Sequence, residues 1–110
     1  MLKYGRLVSL ARNAEGLTAE KLVVLIYKKT QRKVSSTFIS VIETGKKLPS
    51  MELFVVLSKV LKMNHDDALA SYKKEKLDML KKRYEDRLMK GVEKYYAANS
   101  KANPITTKKS

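Results

Sequence analysis

"SSTFISVIETGKKLPS", residues 35–50, contains a helix with both of its ends and the beginning of the next. Ser35 or Ser36 can cap that helix by accepting a backbone N–H. Phe38, Ile39 and Ile42 recur at the spacing of one buried face, and Gly45 suits the left-handed position that follows a helix end. Lys46, Lys47 and Pro49 then form a turn, and Ser50 caps a further helix.

Helical spacing extends outward from this segment in both directions. The helix after Ser50 carries Leu53, Phe54, Val56, Leu57, Val60 and Leu61, and reads as the core helix. Upstream, Tyr4, Leu7, Val8, Leu10, Ala11 and Ala14 form a first amphipathic helix that stops at Gly16. Thr18 caps a second, with Glu20 near its positive end and Leu22, Val23, Leu25 and Ile26 as its buried face. KKTQRK, residues 28–33, interrupts the apolar rhythm: the second helix either frays there or continues as a solvated extension, and an extended turn is the favoured reading. Downstream, Asn64 with Asp66 and Asp67 opens a fifth helix. Leu69, Tyr72, Leu77, Leu80, Tyr84, Leu88, Val92 and Tyr95 then recur mostly every three or four residues, which predicts one long amphipathic helix to about Ala97. Its spacing is not a strict heptad, and Gly91 weakens it. The expected fold is all-α, with a helical domain over 1–63, the long helix over 64–97 and a disordered basic tail over 98–110.

The chain has 110 residues, 44% of them hydrophobic, enough for one small core and no second domain. Its 24 Lys and Arg against 11 Asp and Glu leave a formal charge of +13, a surface field that favours a polyanion such as nucleic acid, although membrane headgroups would also satisfy it. No apolar run approaches the roughly 18–20 residues needed to span a bilayer, and the opening MLKYGRL lacks a signal-peptide core, so no membrane association and a cytoplasmic location are expected. The lack of cysteine removes disulfides, thiolate metal sites and thiol nucleophiles. Residues 1–63 hold 12 Lys and Arg against 4 Asp and Glu, and 64–110 hold 12 against 7, so the first part is the more basic.

Residues 7–63 resemble the Cro and lambda-repressor-like, Xre-type helix-turn-helix domain. The match is strongest in ARNAEGLTAEKL (11–22) and SSTFISVIETGKKLPSMELFVVLSKVLKM (35–63). The resemblance implies that the second and third helices form the helix-turn-helix unit and that the third enters the DNA major groove, which is wide enough to admit one helix. By position, Ser36 and Thr37 match the family's base-facing residues, and Ser40 and Val41 the later outward pair; the competing view of the hydroxyls is a helix cap and solvated surface. Phe38 stands where the family often has a small polar residue and reads as core. Arg12 and Glu43 match an ion pair that ties the first helix to the recognition helix. Lys46, Lys47 and the amides around Thr44 and Gly45 match the phosphate-gripping turn, a contact that positions without reading sequence.

Two departures stand out. The family's phosphate-binding glutamine at the start of the second helix is Ala19 here. The link to Val34 is longer than the compact family turn, and its Lys28, Lys29, Arg32 and Lys33 either recover that anchoring on the DNA backbone or belong to an ordinary solvated loop.

Nothing in the pattern points to an enzyme, a metal or a cofactor. His65, beside Asp66 and Asp67, reads as part of a capping turn, and the serines have no histidine placed to activate them. The expected partner is double-stranded DNA, bound as a homodimer through the long C-terminal helix, whose first turns can alternatively pack back on the chain's own helical core. Two functions follow: a sequence-specific transcriptional regulator, in particular a repressor, or an antitoxin-like adaptor whose long helix binds a protein partner.

Overall fold

The computed structural model describes residues 2–99, all of whose regular structure is helical. Five helices follow one another: α1 (Tyr4–Ala14), α2 (Ala19–Thr30), α3 (Ser36–Glu43), α4 (Met51–Val60) and α5 (His65–Asn99). The basic tail assigned to 98–110 lies outside the described residues from residue 100 onward. The chain divides into two compact units, Met1–Lys76 and Leu77–Ser110.

Short polar side chains begin four of the helices. Thr18 Oγ1 accepts from Lys21 N–H at 3.1 Å, Ser35 Oγ from Phe38 at 3.0 Å, Ser50 Oγ from Leu53 at 3.2 Å and Asn64 Oδ1 from Asp67 at 2.9 Å. Each satisfies a donor that the helix itself cannot, worth about 1 kcal/mol. Gly16 and Gly45 close α1 and α3 with φ of 68° and 82°, a backbone shape that favours glycine.

The core of the first unit is built from Tyr4 and Val8 of α1, Leu22 and Ile26 of α2, Ile39 and Ile42 of α3, and Leu53, Phe54 and Leu57 of α4. Leu10 does not join it and stands 41% exposed. Two residues past Val8 is about 200° around the helix, so a face centred on Tyr4 and Val8 points Leu10 outward. Gly5 marks the closest approach of two helices. A Cβ there would run into the Ile42 carbonyl oxygen and lie 2.8 Å from that of Glu43, so α1 rests directly on the end of α3.

The second helix runs further than the favoured turn reading. It continues through Thr30, whose hydroxyl donates to the Ile26 carbonyl at 2.8 Å, and ends at Gln31, which takes the left-handed conformation and donates to Tyr27 O at 2.7 Å. Lys28 and Lys29 therefore sit in the last turn of α2, where their charge complements the carbonyl end of the helix.

The compact unit also reaches beyond residue 63. Ala68, Ser71 and Tyr72 are buried, while Leu69, counted with the apolar stripe, is 40% exposed. Ser71 Oγ donates to Leu2 O at 2.7 Å, and the Tyr4 backbone N–H donates to Glu75 Oε2 at 2.6 Å, so the first turns of α5 hold the start of α1. Tyr4, Phe54 and Tyr72 form one aromatic cluster, with ring centres 4.4–5.5 Å apart. Tyr72 OH donates to Pro49 O at 2.7 Å, whereas the buried Tyr4 OH has no hydrogen-bond partner among the described residues.

Candidate nucleic-acid interface

The third helix is short and strongly two-sided. Ile39 and Ile42 are buried and Phe38 packs half-buried against the same core, which leaves Thr37 and Ser40 exposed and Ser36 and Val41 half-buried. Because Ser35 supplies the cap, Ser36 and Thr37 are not needed for capping. Short hydroxyl and methyl groups thus line the outer side from 36 to 41, the chemistry that touches base edges and thymine methyls in a major groove.

A bidentate ion pair holds the far end of α3. Arg12 Nε donates to Glu43 Oε2 at 2.6 Å and its Nη2 to Oε1 at 3.0 Å, while Nη1 donates to the Leu17 carbonyl at 2.7 Å. One guanidinium therefore joins the last turn of α1, the turn before α2 and the last residue of α3. The side chains are only 16% and 13% exposed. The hydrogen bonds to Glu43 stabilise the charged guanidinium and raise its pKa further. With Gly5 seated against the Ile42 and Glu43 carbonyls, the C-terminal end of α3 is fixed from two directions.

The turn after α3 offers less to an anion than its sequence suggests. The N–H groups of Thr44, Gly45 and Lys46 donate to the carbonyls of Ser40, Ile42 and Val41 at 3.0–3.1 Å, and the Thr44 hydroxyl donates to Val41 O at 3.1 Å. Thr44 and Gly45 accordingly close the helix instead of presenting free amides to phosphate. The carbonyls at a helix C-terminus need those donors, and the left-handed Gly45 brings them round. The cationic groups that this turn presents to solvent are the side chains of Lys46 and Lys47, both exposed.

Of the four basic residues before α3, Arg32 has partners inside the domain. Its guanidinium donates to Glu52 at 3.3 Å and to Ser50 Oγ at 3.5 Å, bracing the α2–α3 link against the start of α4. Both side chains are open to water, so the pair contributes at most about 1 kcal/mol. Lys28, Lys29 and Lys33 are exposed. Ala19 begins α2 behind the Thr18 cap, and its side chain is without hydrogen-bonding capacity.

Two cations escaped the sequence reading. Lys3 and Arg6 are exposed and border a groove whose other walls include Glu43, Thr44 and Gly45, so they flank the turn that carries Lys46 and Lys47. The available signal was Gly5 between them: a glycine in the first turn of a helix marks a close backbone approach and hence the neighbour its flanking residues will have.

No protein-family model, no curated protein and no solved structure matches the chain.

Proposed function

We propose that this chain is a sequence-specific DNA-binding regulator of transcription, acting in the cytoplasm as a repressor by occupying its operator. The observation that carries the reading is the construction of α3: a buried isoleucine underside, an outer row of Thr37 and Ser40 flanked by Ser36 and Val41, and two immobilised ends. A helix held in this way can enter a major groove without losing much freedom. Lys46 and Lys47, joined by Lys3 and Arg6, bind phosphate on the flank and set the register. The +13 charge draws the protein to DNA before any base is read. The resemblance of residues 7–63 to lambda-repressor-like domains supports the same conclusion, and the chemistry requires no catalytic group.

The direct test is selection of binding sites from a random duplex pool by the full chain. Recovery of one defined motif, as an inverted repeat if two copies bind, is the expected result. Changing Lys46 and Lys47 to alanine should then lower affinity for every sequence alike and flatten the salt dependence. A second reading, an adaptor whose long helix binds a protein, is favoured by the large apolar side chains left exposed between 77 and 96. Retention of DNA that is indifferent to sequence and lost with added salt would decide for the adaptor.

A further inference from the structure

Beyond Lys76, part of the apolar set of α5 recurs at an interval of eleven. Leu77, Leu80 and Tyr84 are followed by Leu88, Gly91 and Tyr95 at the corresponding positions. Eleven residues in three turns is about 3.67 per turn, so close to the 3.6 of a straight helix that all six positions stay on one face along the whole segment. The leucines and tyrosines of that face are exposed, at 45–66%.

Gly91 lies in the middle of this face. Glycine is unfavourable inside a helix, yet a side chain at 91 would meet no described atom within 4 Å, so packing inside the chain does not require one. Its effect is a notch walled by Tyr84, Arg87, Leu88 and Tyr95. Such a notch is the complement of a side chain arriving from another helix.

The borders of the face carry unlike charge. At 100° per residue, Arg83, Arg87 and Lys94 fall along one border, while Glu85 and Asp78 fall along the other, with Lys81 on that same side between them and the face, so that one border is wholly cationic and the other net acidic.

We propose that this face pairs with the same face of a second copy of the chain, the two helices running parallel. In a parallel pair, a two-fold axis sets each arginine-bearing border against the acidic border of the partner, whereas an antiparallel pair would set arginines against arginines. The five large apolar side chains of the face leave on the order of 100 Å² uncovered each, together roughly 500 Å² per partner, the size of a weak, concentration-dependent interface. The pairing is carried by residues 77–96 alone and does not depend on the DNA reading.

Sedimentation of the full chain from micromolar to millimolar concentration should show a monomer–dimer equilibrium. Leu88→Lys should weaken it by about tenfold or more, with helix content and thermal unfolding unchanged at concentrations where both chains are monomeric, because Leu88 is exposed. Gly91→Tyr, which fills the notch, should act in the same direction. Because the chain contains no cysteine, Leu80→Cys reports orientation, and oxidation should link the dimer through that one position. A chain monomeric at every concentration, a dimer indifferent to Leu88→Lys, or cross-linking only when Leu80→Cys is mixed with Val92→Cys would overturn the proposal. A monomer that pelleted with anionic lipid vesicles in a Leu88-dependent manner would overturn it in favour of a lipid surface.

Discussion

The stretch up to Lys76 and the stretch beyond it are both helical, both basic and both marked by apolar residues every three or four positions, yet they place those residues oppositely. In the first, Tyr4, Leu22, Ile26, Ile39 and Leu57 are fully buried, and the outer side of α3 carries the exposed Thr37 and Ser40 beside the half-buried Ser36 and Val41. In the second, every described side chain from 81 to 98 is exposed, tyrosines and leucines included. Helical spacing therefore identifies which side of a helix is apolar without saying whether anything covers it. Cover depends on a second element arriving at the right angle, and α1 to α4 with the first turns of α5 provide it for one another.

The largest test of this contrast is the ion pair. Arg12→Ala should lower unfolding free energy by about 3–5 kcal/mol in denaturant titrations, because Glu43 would be left with little water and no guanidinium. Arg83→Ala, at an exposed position, should change it by no more than about 0.5 kcal/mol. Comparable losses from the two variants would erase the distinction between the regions.

Glycine gives the next largest difference. Gly5→Ala should cost about 1–3 kcal/mol, since its Cβ meets the backbone of α3 and backbone yields little. The same change at Gly91 has open space and should stabilise the helix by about 0.5–1 kcal/mol. Calorimetry of the two variants checks the signs, and a destabilising Gly91→Ala would mean that the second region is more tightly packed than described.

On the α3 surface, Thr37→Ala should leave stability unchanged and weaken operator binding by roughly 1–3 kcal/mol at one base position. Equal losses on unrelated sequences would remove Thr37 from base reading.

The smallest effect concerns Tyr4. Burial, with a lesser contribution from Tyr72, holds its phenol above the ordinary tyrosine value near 10. The folded chain keeps that proton after the unfolded chain has released it, so this contribution is intact below pH 10 and stability falls as pH rises past it. Tyr4→Phe should lessen the alkaline loss, leaving a remainder from Tyr72, whose pKa burial also raises. At neutral pH it should change stability by less than about 1 kcal/mol, because the hydroxyl has no partner among the described residues to lose. Melting curves across the alkaline range measure both.

Much of the helix layout was readable from residue types alone. Thr18, Ser35, Ser50 and Asn64 act through hydrogen bonds to backbone three residues away, and Gly16 and Gly45 through their own φ angles; both effects are local and so are written in local sequence. The extent of α2 was less legible, since KKTQRK contains nothing that forbids a helix and the ending came from Gln31 turning left-handed. The candidate interface divides in the same way. Its outer hydroxyl row follows from the position of Ile39 and Ile42, but the engagement of the Thr44 and Gly45 amides and the turning of Arg32 to Glu52 were not visible, and the placement of Lys3 and Arg6 beside Gly45 was signalled only by Gly5.

Residue order was sufficient to specify where helices start, where most of them stop and which of their sides is apolar, because each of those properties is set within a turn or two of chain. The partners that meet across the fold, Arg12 with Glu43, Leu2 with Ser71 and Tyr4 with Glu75, were chosen by packing. Contacts between residues thirty to seventy positions apart depend on the angles at which whole helices cross, and those angles are a property of the assembled core.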